Sequence, residues 1–520
     1  MHTPQILEGR HLVVTGFTGF LAKVLVAMIL EEVPGIGRIT LLVRPRGRLR
    51  PAVRRVEEAL ERSPVFRRLR QRHGEHLSEW LGARLDPIDA DLEQPGCGLD
   101  PAALQRLASA DVILHCAGLT DFAPDPLKAL SANVIAAAQI AELARGQQVP
   151  LVHVSTAYVA GCPDRVEIPE TLEPGVAPSG EPFDVGAEIR ALQLACRHGD
   201  ARTSAGARIE LGMARADALG WPNIYTYTKG LAEHLLAQQE GLDLTVVRPS
   251  IVECARRYPF PGWNEGLNTA GPLAWLISTA FRRLPTVPEH RFDVVPVDDV
   301  AQGLGAICAA AIEGRAGGVF QLASSDHNPF TFDRAVELTG LGMRRWARAS
   351  GTPLERAVLA QLDPVPVPAD RPGPLAIDRL ARWVPRVRRA LEPDRRSAWL
   401  PPALERLLQP ALERATEELA SAQQSLDRVS AMLELYRPFI HDHDWVFHTE
   451  RARALTHDED TFRFDLSDLC WRRYWVDVEY PGLRTWCIPL IEGRGVPSDP
   501  AQTPRLRLGR PEAEARVASK

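Results

Sequence analysis

The stretch His11-Leu-Val-Val-Thr15, followed by Gly16-Phe-Thr-Gly19 and an apolar helical run over residues 21–33, constrains this chain most, because it reads as strand, glycine turn and helix in immediate succession. Glycines in such a turn let backbone approach a pyrophosphate, which sits on the N-terminus of the helix that follows. The third small position is Ala22, which the packing of helix on strand tolerates. The placement points to nucleotide binding, against the blander reading of a structural turn. A second strand, RITLLV (38–43), and apolar runs at 83–88, 112–116, 151–154 and 244–247 alternate with helix-like stretches. That alternation predicts an α/β fold, a doubly wound parallel sheet with crossover helices.

The second strand ends in Val43-Arg44-Pro45-Arg46. An acidic residue there suits the ribose hydroxyls of NAD and arginine suits a 2′-phosphate, so NADPH is the expected cofactor. The competing reading is a solvated basic turn running into the arginine-rich residues 48–72. Overall charge is close to balanced, 61 Lys+Arg against 66 Asp+Glu, which argues against a general nucleic-acid binder. Lysine is scarce: Lys23, Lys128, Lys229 and Lys520 are the only ones. The eight cysteines are scattered without a C-x-x-C pair, so neither a zinc site nor a disulfide framework is expected, and a reducing, cytoplasmic location is. The first residues lack a signal-peptide pattern, and no uncharged apolar run approaches the roughly 18 residues of a membrane span. The runs near 270–281 and 300–312 read as buried helices. His441-Asp442-His443-Asp444 lacks helical i, i+4 spacing, so no metal is expected there, and His115 and His153 read as packed side chains.

Tyr225-Thr-Tyr-Thr-Lys229 places a tyrosine four residues before one of the rare lysines, on one face of a helix. An ammonium so placed favours tyrosinate and is expected to lower the phenol's pKa. Ser155-Thr156 ends a predicted strand upstream, where open α/β sheets bind ligands. From residue 326 onward the texture changes. Residues 363–410 are rich in Pro and Arg and read as a linker or irregular cap; 413–436 reads as a helix. Residues 437–493 are aromatic-rich and read as a small domain, and 494–520 as a disordered tail.

These segments resemble a known family. TGFTGFLAKVL (15–25), LLVRPRG (41–47), SPVFRRLR (63–70), HCAGLTDF (115–122), VHVSTAYVAG (152–161), GWPNIYTYTKGLAE (220–233) and VRPSIVECARRYPFPGW (247–263) are similar to the extended short-chain dehydrogenase/reductases. Within them the chain resembles the alcohol-forming fatty acyl-CoA reductases. YRPFI (436–440) and FDLSDLCWRRYWVDVEYPGLR (464–484) look like that family's C-terminal domain. The resemblance implies a Rossmann-like domain over 1–340 with a substrate lobe from 162–221 and 256–291, a linker or cap over 341–410, a smaller, mainly helical C-terminal domain over 411–493 and the tail.

By the same resemblance, Thr156 with Ser155 beside it, Tyr225 and Lys229 form the catalytic group, Thr156 being the favoured hydroxyl. Thr15, Gly16, Thr18, Gly19, Phe20, Leu21 and Arg44 would hold the cofactor phosphates. Asp91-Leu92 would lie near the adenine, Ala117-Gly118 would be the contact from the fourth strand, and Pro249-Ser250-Ile251 would lie beside the nicotinamide, with Lys229 on the ribose. Asn133 matches a structural asparagine, though Ala136 stands where a glycine is usual. The implied reaction is reduction of a long-chain acyl-CoA by NADPH to the aldehyde and on to the alcohol, with Tyr225 as proton donor. Phe260, Trp263, Leu273, Trp275, Leu276 and Ile277 read either as an acyl channel or, more simply, as core. The aromatic cluster Trp471, Tyr474, Trp475 and Trp486 reads as a small-domain core, with a cap on the acyl tunnel or peripheral contact with a membrane as the other readings. Rival functions are an aldehyde-forming or carrier-protein thioester reductase, a sugar- or sterol-type reductase, and a non-catalytic NADPH sensor. The intact Tyr-Lys pair speaks against the sensor.

Overall fold

A computed structural model describes residues 2–47, 49–162, 166–198, 204–267, 269–278, 282–351, 356, 363–367, 377–392, 395, 402–456, 459–500 and 505–508. The chain divides into two compact units. One comprises Met1–Pro272, Asp293–Phe330 and Trp445–Lys520; the other comprises Leu273–Phe292 and Thr331–Asp444.

In the first unit the elements that carry the sheet are β1 (His11–Thr15), α1 (Phe20–Glu32), β2 (Arg38–Val43), α2 (Ala52–Arg62), β3 (Leu85–Asp89), β4 (Val112–His115), α3 (Ala136–Gln147) and β5 (Leu151–Val154). Two lobe helices follow, α4 (Val185–Arg197) and α5 (Ala205–Ala218). Then come α6 (Ile224–Ala237), β6 (Leu244–Pro249), β7 (Ile251–Glu253), β8 (Val294–Pro296), α7 (Val297–Ile312) and β9 (Gly318–Leu322). Seven strands form one parallel sheet in the order β9-β6-β5-β4-β1-β2-β3. The expected α/β architecture is the one observed. Strand order reverses between β1 and β4, and the crevice beyond the strand ends at such a reversal is where open sheets of this kind bind ligands.

Every residue of β1, β4 and β5 is buried, as a sheet covered by helices on both faces requires. One of those layers joins Ile113 and Leu151 of the sheet to Ile140 and Ala144 of α3 and to Tyr227, Leu231 and Leu236 of α6. The helical run Pro126–Gln147 is long and apolar enough to cross a membrane by composition, but more than half of it is buried inside the fold, as the core role of α3 explains. None of the eight cysteines is in a disulfide.

The aromatic residues near the C-terminus pack within the sheet-bearing unit. Trp471 stacks on Phe330 with ring centroids 4.5 Å apart, and Phe462 fills the space that a Cβ on Gly305 of α7 would need. The tail differs from its expectation at residues 505–508. The Leu506 and Leu508 amides donate to Glu61 and Glu57 of α2 at 2.9 and 2.8 Å, and both leucines are buried. The second unit is mainly helical, with α8 (Phe332–Ser350), α9 (Ile377–Ala390) and α10 (Pro402–Arg437). Its α9 and the start of α10 fall where Pro and Arg suggested irregular chain; arginine and leucine are good helix formers, and their propensity outweighs scattered breakers.

Candidate active site

The glycine turn is built by close backbone approach. Gly16 has φ +78°, and a Cβ on it would lie 2.7 Å from backbone atoms of Cys116 and Ala117, so no side chain fits. The Gly19 amide donates to the Gly16 carbonyl at 2.8 Å, closing the turn. Gly19 is also the N-cap of α1 and brings no side chain to it, which leaves the first-turn N–H groups for an anion. Beneath the turn the Thr15 hydroxyl accepts from the amides of Cys116 and Ala117 at 3.2 and 3.1 Å, tying the ends of β1 and β4 together.

The cavity beyond these strand ends is ≈ 210 Å³ and is lined by Gly16, Thr18, Arg44, Leu92, Ala117 and Gly118 among the residues expected there. Asp91 adjoins it through an ion pair with Arg44 at 2.9 Å, and Phe20 and Leu21 form the first turn of α1. Pro249, Ser250 and Ile251 carry the chain from β6 into β7 and are not among the lining residues. A glycine cradle at a helix N-terminus, with Arg44 and Arg55 in the cavity wall, fits a dinucleotide.

Two further charged residues line the cavity that sequence reasoning did not single out, Arg55 and Glu93. Glu93 pairs with Arg44 and accepts from the Ser131 hydroxyl at 2.5 Å. Burial pushes its carboxyl up, but the hydrogen bonds from Ser131 and Arg44 prevail and hold it below the usual range. Arg55 donates to the Thr18 hydroxyl at 3.4 Å; its guanidinium pKa is drawn down by burial and by the neighbouring cations of Arg46 and Arg50. In a chain with arginine everywhere, composition and spacing alone do not mark this one. Glu93 follows Asp91-Leu92 directly, so its neighbourhood was signalled although its own role was not.

The other half of the site is carried by α6. Gly220 has φ +86°, turning the chain so that Trp221, buried in the core, lies against Gly230, where a Cβ would come within 2.6 Å of the indole. Asn223 caps the helix by accepting from the Thr226 amide at 2.9 Å. Lower on α6, Glu233 holds Arg248 of β6 in a buried fork, with contacts of 2.6–3.1 Å. Removing one partner of such a buried pair costs about 3–5 kcal/mol, so the helix is fixed against the sheet. Of the two tyrosines, Tyr227 points into the core toward Glu188 of α4, and Tyr225 faces the strand end.

Thr156 hydrogen-bonds the Tyr225 phenol, while the buried Ser155 hydroxyl has no hydrogen-bond partner among the described residues. Of the two hydroxyls, Thr156 is the one that acts on the Tyr225 phenol, drawing its pKa down against burial. Lys229 donates to the Val154 carbonyl at 2.7 Å, beside Gly118. Asn133 accepts from the Leu119 amide at 2.7 Å and donates to the Thr228 hydroxyl at 3.0 Å, a structural role that pins α6 to the loop after β4. Ala136, in the place of the usual glycine, lines the cavity.

The expectation that Lys229 would pull the phenol's pKa down is not met. Burial pushes Tyr225 up to about 12, opposed by the Thr156 hydrogen bond. Lys229 is itself brought down to about 8 by burial, and its ammonium is directed at a carbonyl, so the phenol stays protonated at neutral pH. His115 and His153 are buried next to this lysine as neutral rings, His115 brought down to about 3 by burial and the nearby ammonium. Among the described residues no group of three His, Cys, Asp or Glu side chains is placed to hold a metal; His441 pairs with Asp442 at 2.8 Å and Asp444 with Arg291.

A dinucleotide cradle at a sheet reversal, faced by a strand-end threonine and a Tyr-x-x-x-Lys helix, defines an extended short-chain dehydrogenase/reductase. The family described as Male sterility protein, with an NAD-binding domain, matches residues 14–304, more than half of the chain. "Fatty acyl-CoA reductase 1" of Arabidopsis thaliana is 31% identical over 353 residues, covering 64% of this chain and 70% of that protein. "Fatty acyl-CoA reductase 8" of the same plant is 27% identical over 511 residues, 92% of this chain and 98% of that one. A solved reductase domain of a non-ribosomal peptide synthetase from Mycobacterium tuberculosis shares the fold, with a TM-score of 0.50 at 17% identity, covering 94% of this chain and 95% of its own. The chain belongs to the fatty acyl-CoA reductase family and is an oxidoreductase with a nicotinamide-dinucleotide domain.

Proposed function

We propose that the chain reduces a long-chain fatty acyl-CoA thioester, using NADPH, to the aldehyde and then to the primary alcohol, releasing coenzyme A. The observation that carries the reading is the Thr156–Tyr225 hydroxyl pair at the end of β5, next to Lys229 and the glycine-turn cavity. The family membership supports the substrate class. The arginines Arg44 and Arg55 in the cavity wall support NADPH over NADH, since guanidinium suits a 2′-phosphate.

When bound, the nicotinamide supplies the hydride. The hydroxyls of Thr156 and Tyr225 donate to the thioester oxygen where negative charge develops, the placement that stabilises such an oxyanion. The thiolate leaves without help from an acid. In the aldehyde step a proton is required at the new alkoxide, and Tyr225, protonated at neutral pH because it is buried, provides it. Lys229 holds the cofactor ribose, with the carbonyl of Val154 orienting its ammonium.

Purified protein mixed with NADPH and a C16 or C18 acyl-CoA is followed by loss of nicotinamide absorbance, with NADH and an acyl carrier thioester as parallel arms. Oxidation that requires acyl-CoA and prefers NADPH is expected. No oxidation with any of these thioesters overturns the reading, and oxidation with the carrier thioester alone replaces coenzyme A by a carrier.

A further inference from the structure

Lys23 lies in the second turn of α1, one of four lysines in the chain, and its side chain is buried. Its ammonium is paired with Glu265, whose other carboxylate oxygen accepts from the Ser63 hydroxyl at 3.2 Å. Glu265 ends the segment 254–265 that leaves β7. Two residues earlier in that segment is the fully buried Trp263, whose ring centroid is 5.2 Å from that of Phe20, the first residue of α1. The segment therefore rests on the first turns of the helix whose N-terminus closes the glycine cradle.

Its other side is fastened just as specifically. Three successive amides, of Arg256, Arg257 and Tyr258, donate to the Asp298 carboxylate at 2.7, 2.7 and 2.9 Å. The two arginines reach Asp468 at 2.9 and 2.6 Å, and the Tyr474 hydroxyl donates to the Cys254 carbonyl at 2.6 Å. Gly482 and Gly262 approach so closely that a Cβ on Gly482 would lie 2.4 Å from the Gly262 carbonyl oxygen. One segment thus touches both the cradle helix and the C-terminal region of the same unit.

We propose that Lys23 is a positioning residue for the dinucleotide: with Glu265 and Ser63 it clamps segment 254–265, and with it the C-terminal region around Asp468, Tyr474 and Gly482, onto the first turns of α1, fixing the helix end that receives the phosphates. The proposal rests on the reading of the cavity as a dinucleotide site. It gives the C-terminal region a role in cofactor binding and explains why a lysine persists here. A compact ammonium answers a single carboxylate from a closed corner, a geometry that the broad guanidinium fork does not reproduce.

The test is a titration of the full chain with NADPH, read by cofactor fluorescence, for the wild type, Lys23→Met, Glu265→Gln and the double variant, each checked by thermal melting. Each single change is expected to weaken NADPH binding about tenfold, with kcat at saturating NADPH within about twofold of the wild type. The double variant is expected to be no weaker than either single one, because both remove the same pair. Unchanged NADPH affinity in folded Lys23→Met and Glu265→Gln overturns the proposal, as do additive losses. Tighter binding in Glu265→Gln also overturns it, since Lys23 would then be meeting the phosphates itself. If the wild type binds no NADPH, the dinucleotide reading falls instead.

Discussion

Two buried lysines of the same unit are held in opposite ways. Around Lys229 the ammonium has a carbonyl, two neutral imidazoles and no carboxylate bonded to it, and burial brings its pKa down to about 8. Around Lys23 the ammonium is bonded to Glu265, itself fixed by Ser63. Under the proposed function, the difference separates a cation kept available for a ligand from one consumed in holding the chain together. A carboxylate on Lys229 would compete with the ribose; a carbonyl does not.

The first way to break this contrast is at the phenol beside Lys229. Tyr225→Phe is expected to lower kcat on the order of a thousandfold while NADPH still binds with wild-type affinity, measured by steady-state rates and by titration. Loss of NADPH binding in step with rate would place Tyr225 among the binding groups instead. Next, Thr156→Val is expected to cost about a hundredfold in kcat, and Ser155→Ala less than about threefold, because only Thr156 bonds the phenol. Equal losses would show that both hydroxyls face the carbonyl. A third change tests the scaffold: Glu233→Gln is expected to destabilise the fold by about 3 kcal/mol, read by denaturant titration, by stranding Arg248 inside.

The charge state of Lys229 gives a prediction in pH. Its folded pKa, about 8, lies below the free lysine's 10.5, so between those values the unfolded chain holds the extra proton. Stability attributable to this group therefore rises as pH goes from about 8 to about 10.5, by about 3 kcal/mol at most, and Lys229→Met lacks the rise. Melting curves of both proteins across that range measure it; parallel profiles would mean the lysine is not held dry. A smaller effect is expected at the arginines of the cavity wall. Arg44→Ala is predicted to reduce the preference for NADPH over NADH about tenfold, with Arg55 retaining the remainder.

Much of this was legible because it is local. The glycine turn needs only Gly16 and Gly19 between an apolar strand and a helix, and the Tyr225–Lys229 spacing needs only one helix. The sheet was legible from its apolar runs, since strands buried on both faces are mostly apolar, with only His11, Thr15, His115 and His153 interrupting these three. What stayed hidden is what the fold brings from afar. Lys23 was noticeable for its rarity, but its partner is 242 residues away and carries no local signal. Arg55 was lost among many arginines. The phenol's elevated pKa was missed because spacing places a lysine near a tyrosine without saying how dry the pair is or which way the ammonium points.

The central claim, thioester reduction carried through to the alcohol, is tested most directly by stoichiometry. A limiting amount of long-chain acyl-CoA is converted with excess NADPH, and NADPH oxidised, coenzyme A released and lipid product are counted together. The account predicts about two NADPH per coenzyme A and fatty alcohol as the product. About one NADPH per coenzyme A with aldehyde accumulating, or no coenzyme A released, would contradict it.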